Sequence, residues 1–199
     1  MNTGRARGGY AKGRERREAI LAAANDVFAT HGFRGASLST IATRVGLTEP
    51  GLLHHFRSKE ELLLELLAMR EERDLERIAR AFEDHATLHD VLLALCRQNA
   101  ESPGIVRLFT ILAAESVDDD HPAHGWFQAR YRRLRRDVTA QVADDQREGR
   151  MAADLDPEQV AVQILALFDG LQIQWLLDPD DVDLVRAVED FLEHLRPSA

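Results

Sequence analysis

The stretch Ser37-Leu38-Ser39-Thr40-Ile41-Ala42-Thr43-Arg44-Val45-Gly46-Leu47-Thr48-Glu49-Pro50-Gly51-Leu52-Leu53-His54-His55-Phe56 decides the fold of this chain. Ser37 is a helix N-cap residue, because its hydroxyl can accept an amide of the turn that follows. Leu38, Ile41, Ala42 and Val45 then recur at helical spacing for two turns, and Gly46 closes the pattern. Thr48 repeats the cap, and Pro50 falls in a first turn, where its missing N–H costs nothing. Leu52, Leu53 and Phe56 supply the apolar contacts of this second helix. Two short helices meeting at a glycine-containing turn have the sequence shape of a helix-turn-helix, whose second helix enters the major groove of DNA.

Working outward, Ile20, Ala23, Ala24, Val27 and Phe28 give a preceding helix that starts near Arg14 and stops at His31-Gly32, a glycine where a left-handed C-cap fits. Before it, residues 1 to 13 contain four glycines and three basic side chains, show no apolar period, and read as a flexible basic arm. After it, Ser58-Lys59-Glu60-Glu61 reads as a capping box, opening a helix through Leu62, Leu63, Leu66 and Leu67 to about Phe82. Further helices are predicted over about 87–99, 103–115, 123–148, 157–177 and 181–195, separated by proline, glycine and aspartate clusters. The segment Val160 to Leu177 is apolar nearly all round, so it must be covered on several sides, by its own core and by a second subunit.

The composition agrees with an all-α fold: aromatics are 6% and strand alternation is absent. The net charge of −9 is unevenly spread. Residues 1 to 60 hold ten Lys/Arg against five Asp/Glu, and residues 61 to 199 hold fifteen against twenty-nine. A basic head on an acidic body places phosphate-backbone binding at the head and orients its approach to DNA. The single cysteine, Cys96, lies in an apolar run and reads as a buried structural thiol in a reducing compartment. No h-region follows the basic N-terminus and no run approaches about 18 apolar residues, so the expectation is a cytoplasmic chain without a membrane partner.

Catalysis has no sequence support: there is no phosphate loop, HExxH or nucleophile elbow. Metal binding is set aside as well. Adjacent His54 and His55 diverge by about 100° on a helix, and His85 with His89, or His121 with His124, suit loop and cap positions better. No cofactor is expected. The basic block Arg130, Arg132, Arg133, Arg135 and Arg136 reads as surface or ion-paired positions.

Ser37 to Thr48, followed by Gly51 to Leu62 and preceded by Ala29-Thr30-His31-Gly32-Phe33, resembles the DNA-binding signature of TetR-family regulators. The resemblance covers about residues 14 to 62. It implies a three-helix DNA-binding domain over residues 14–57 and a helical effector-binding and dimerisation domain over 58–199, after the arm of residues 1–13. It also implies a recognition helix from Thr48 to His54, with Glu49, Pro50, Gly51 and His54 toward base edges and Leu53 against a thymine methyl or the core. Ser37, Thr40, Thr48 and Lys59 would meet phosphates, Arg44 backbone or base, and Arg14, Arg16 and Arg17 further phosphates. Family members commonly carry a tyrosine where Leu53 stands and a threonine where Gly51 stands.

The same resemblance places an effector pocket on the inward faces of the middle helices, with Leu92, Phe109, Leu112, Trp126, Phe127, Tyr131 and Phe168 as candidates. Asp169, Gly170, Trp175, Val188, Phe191, Leu192 and Leu195 are the dimer-interface candidates. The function implied is a homodimeric repressor that leaves its double-stranded operator when a small apolar or amphipathic effector binds. Two other readings stay open: a helical small-molecule-binding protein or enzyme with an incidental basic head, and an activator of the same fold.

Overall fold

The computed structural model describes residues 4–83 and 86–197, with side chains from Gly13 onward. Its helices are α1 (Gly4–Gly35), α2 (Leu38–Arg44), α3 (Glu49–Leu53), α4 (Lys59–Glu83), α5 (Leu88–Glu101), α6 (Pro103–Glu115), α7 (His124–Arg147), α8 (Pro157–Leu177) and α9 (Leu184–Glu193). No strand occurs among the described residues. His85 and residues 1 to 3 of the expected arm lie outside them.

From Gly4 onward the segment expected as a flexible arm is instead the first part of α1. Helix already nucleated by packing propagates at little cost through good helix formers such as the alanine, arginine and lysine residues here, glycines notwithstanding. At its other end α1 breaks where the sequence placed the stop, at Gly32, whose φ of 65° and ψ of −177° are non-helical. The caps of α2 and α3 form as expected. Thr40 N donates to Ser37 Oγ at 3.1 Å, Gly51 N donates to Thr48 Oγ1 at 3.3 Å, and Gly46 turns between the helices at a φ of 68°. The Ser58 cap is half of the expected box: Glu61 N donates to Ser58 Oγ at 3.1 Å, but the Glu61 carboxylate takes the amide of Arg57, one residue earlier than the box requires.

One core joins α1 to α4 around Ile20, Phe28, Ile41, Leu52, Phe56 and Leu66, and it continues without interruption into Leu108 and Leu112 of α6 and Phe127 of α7. A second core lies farther from the head, built by α5, α7, α8 and α9 around Leu92, Cys96, Val142, Ile164, Val188 and Leu192. Cys96 is fully buried there and its thiol is pushed up to about 11 by burial, in keeping with an inert structural role.

This second core corrects part of the dimer expectation. Val188, Leu192 and Leu195 are buried within their own chain, because the apolar stripe of α9 faces α5 and α8. Trp175 and Phe191 are half-buried against the same core. The apolar side chains left open on α8 are Val162, Ile173 and Leu177, on the stripe that also carries Gly170. By length and a mean hydropathy of 1.5, α8 passes for a membrane span, contrary to the sequence expectation that no segment comes near one. Gln163, Asp169, Gln172 and Gln174 interrupt it.

Candidate DNA-reading face and effector cavity

Leu52 and Phe56 are fully buried under α3, which leaves Glu49, Pro50 and His54 exposed on its outer side. Gly51 and Leu53 are half-exposed beside them. A Cβ on Gly51 would sit 3.3 Å from Thr48 Oγ1, so glycine here keeps the cap hydroxyl unobstructed. Ser37, Thr40, Arg44 and Thr48 are exposed around this helix, and so are Ser39 and Thr43, two hydroxyls that sequence reading passed over. The face therefore brings together hydroxyls, helix N-termini and an arginine, the groups that dock on phosphates and hold a short helix in a groove. His55 is half-buried, and burial together with the neighbouring charges of His54, Arg17 and Arg16 holds its pKa below the usual histidine value.

The basic residues expected at phosphates divide differently. Arg14 pairs with Glu18 at 3.7 Å and Arg44 with Asp26 at 3.8 Å, both exposed and free to exchange partners. Arg16 donates to the carbonyl of Val45 at 2.9 Å, at the end of α2. Arg17 is a brace: it bonds the carbonyl of His55 and the carboxylate of Glu65 while lying 4.2 Å over the ring of Phe56. Lys59 is one as well. Its ammonium donates to the carbonyls of Phe33 and Ala36 at 2.9 and 3.0 Å and sits 4.4 Å over the ring of Phe33. Those carbonyls lie at the broken end of α1 and just past it and lack helical partners, which is why a lysine is drawn to them. Replacing Lys59 by methionine is expected to lower the unfolding free energy by about 2 kcal/mol while leaving the slope of DNA affinity against salt unchanged. A slope shallower by about one would return Lys59 to a phosphate.

A cavity of about 640 Å³ opens in the body. Its walls are Leu75, Ile78 and Phe82 of α4, Leu92 of α5, Ile105, Phe109 and Thr110 of α6, Phe127 and Tyr131 of α7, and Phe168 and Asp169 of α8, among others. Five expected pocket residues thus line it: Leu92, Phe109, Phe127, Tyr131 and Phe168. Leu112 and Trp126 do not. Leu112, three positions beyond Phe109 on α6, is fully buried in the core shared with the head, and Trp126 packs behind the wall with ring centroids 6.1 Å from Phe109 and 4.9 Å from Phe127. Asp169, expected at a dimer contact, lies at the edge of the open stripe between Val162 and Ile173; it also lines the cavity and accepts from the Tyr131 hydroxyl at 2.8 Å. An apolar enclosure of this size with a few convergent polar groups suits a small organic molecule. Among the described residues no group of three or more His, Cys, Asp and Glu could hold a metal ion.

The sequence profile of bacterial regulatory proteins of the tetR family matches residues 20–66. That of the BetI-type transcriptional repressor C-terminal domain matches residues 84–197, more than half of the chain. The chain belongs to the TetR family. It is 30% identical to the HTH-type transcriptional regulator TtgR of Pseudomonas putida, over 90% of this chain and 89% of that protein. The same fold occurs in a transcriptional regulator from Saccharomonospora viridis in complex with choline, with a TM-score of 0.79 and 23% identity over 91% of this chain and 97% of that one. It occurs also in the regulator FadR of Bacillus subtilis in complex with stearoyl-CoA, with a TM-score of 0.74 and 19% identity over 89% and 96% of the two chains. This TetR-family chain is a DNA-binding transcriptional regulator.

In this TetR-family member the head and the body meet at a joint that sequence reading missed. The carboxylate of Glu115, the last residue of α6, accepts the amide of Phe33 at 2.7 Å, just past the break at Gly32. Arg34 pairs with Asp118 beside it. His121, 4% exposed, packs edge-on against Phe33 at 5.1 Å and brings Nε2 to 3.7 Å from Glu115. Its Nδ1 accepts the amide of Ala123 at 3.2 Å, so the neutral ring carries its proton on Nε2, toward Glu115. Burial lowers the pKa of His121, against the opposing pull of Glu115. Nothing local in the sequence announces the joint, because Glu115 and Phe33 are 82 residues apart.

Proposed function

We propose that the protein is a homodimeric repressor whose two heads grip half-sites of a palindromic operator, and that a small amphipathic effector in the cavity releases it. The observation that carries this reading is the double attachment of α4 and α6. The first turns of α4 supply Leu62, Leu63, Leu66 and Leu67 to the core of the head, and its later turns supply Leu75, Ile78 and Phe82 to the cavity wall. On α6, Ile105, Phe109 and Thr110 face the cavity while Leu108, Leu112 and Glu115 meet α1. A molecule that repositions either helix from the cavity side therefore moves the head. Release needs only that the effector bind the displaced state more tightly than the DNA-bound one.

Dimerisation is supported by the open apolar stripe Val162, Ile173 and Leu177 on α8, and a two-fold pair of heads suits half-sites one helical turn, about 34 Å, apart. The choline and stearoyl-CoA complexes of proteins with this fold support a small-molecule effector, and the repressor profile over the body supports repression. The cell compartment that fits is the cytoplasm, where the operator is. Incubating the full chain with fragmented genomic DNA at physiological salt is expected to enrich a palindromic sequence near a promoter. Recovery of fragments no different from those held on random DNA would overturn the reading.

A further inference from the structure

Choline is a cation and stearoyl-CoA a polyanion, so this fold does not settle the charge of the molecule it holds; the cavity lining of this chain has to. Four charged residues line it: Asp74, Arg130, Asp137 and Asp169. The one cation among them is already matched. Arg130 donates to Glu71 at 2.9 Å and lies over the rings of Phe109 and Trp126 at 5.0 and 5.7 Å, and Arg133 bonds the same Glu71 oxygen. Asp74 faces Arg77 at 3.7 Å and Asp137 faces Arg136 at 3.0 Å. Asp169 alone of the four has no ion-pair partner within 4 Å among the described residues; its one hydrogen bond is the Tyr131 hydroxyl at 2.8 Å. The residue is exposed, seven positions after Val162 and four before Ile173 at the edge of the open stripe, and its bond ties the carboxylate to Tyr131 of α7, which lines the same cavity. Crowding by protein raises its pKa, only partly offset by Tyr131 and by the more distant Arg130.

We propose that the effector is an organic cation, its positive group seated at the Asp169 carboxylate and its apolar groups against Phe109, Phe127 and Phe168. The proposal rests on the cavity being the effector site. A carboxylate at the margin of an apolar cavity with no ion-pair partner gains from a cation brought by the ligand, and the electron-rich faces of Tyr131 and Phe168 favour the same sign of charge.

Tetraphenylphosphonium and tetraphenylborate test this directly, being alike in size and shape and opposite in permanent charge. Titration calorimetry on the full chain is expected to give about tenfold tighter binding of the phosphonium, as one ion pair beside an apolar cavity supplies. Asp169→Asn, which keeps shape and the bond to Tyr131, should remove most of that preference. Glu189→Gln, the same change of charge on the exposed side of α9, should keep it. Equal or tighter binding of the borate overturns the proposal and makes Arg130 the reader of charge, as does a preference that survives in Asp169→Asn. Failure of both probes to bind overturns the proposal together with the effector-cavity reading, whereas equal binding of both leaves that reading standing.

Discussion

Gly32→Ala is expected to cost about 3 kcal/mol of stability and most of the DNA affinity of this regulator. Two effects add. The φ of 65° with ψ of −177° lies in a region that only glycine occupies readily, at about 1–3 kcal/mol for any other residue. A Cβ there would also overlap Oε1 of Glu115 and come within 2.8 Å of its Cδ. The carboxylate must then withdraw from the Phe33 amide it accepts, leaving a partly buried donor unsatisfied at about 1–3 kcal/mol. Gly46→Ala is the internal control, since its φ of 68° carries conformational strain but its Cβ would meet nothing within 4 Å. Urea unfolding should rank it near 1 kcal/mol. Equal losses for the two variants would show that the Glu115 joint contributes nothing.

Phe56→Ala should have the largest effect on the head. The ring is fully buried, and the guanidinium of Arg17 lies on its face while also holding the carbonyl of His55 and the carboxylate of Glu65. Removing it opens a cavity under the reading helix worth about 3–5 kcal/mol, a fall in melting temperature of about 10 °C for a chain of this size. Operator binding is expected to disappear below that temperature as α3 loses its floor. The probe-binding cavity, whose walls also draw on the second core through Leu92, Ile164 and Phe168, should keep near-wild-type affinity. Loss of both functions together would mean that the two cores unfold as one unit.

The parts of this structure legible in the sequence are those written within a few residues of one another. Ser37, Gly46, Thr48 and Pro50 shape their own turn and the next, so the helix-turn-helix could be read directly. Lys59 and Arg17 could not, because what they serve lies 23 to 48 residues away and a basic side chain near a reading helix looks the same whether it faces phosphate or carbonyl. Periodicity marked the buried stripe of α9 correctly but is silent on what buries it, and Val188 and Leu192 turned out to pack inward. On α6, Phe109 and Leu112 are three positions apart, near enough in direction to be grouped from sequence, yet both touch the core shared with the head and only Phe109 reaches the cavity. The unpaired carboxylate of Asp169 was visible as a polar residue in an apolar helix, but the side it serves depends on Tyr131, 38 positions earlier.

The two-sided character of α6 carries a consequence for how such a regulator diversifies. Ile105, Phe109 and Thr110 can be exchanged to admit a different inducer, while Leu108, Leu112 and Glu115 hold the seam to the head. Sensing and operator choice are then inherited as separable traits on one helix. A duplicated copy could acquire a new chemical signal by drift on one side of α6 while still answering at its ancestral promoter.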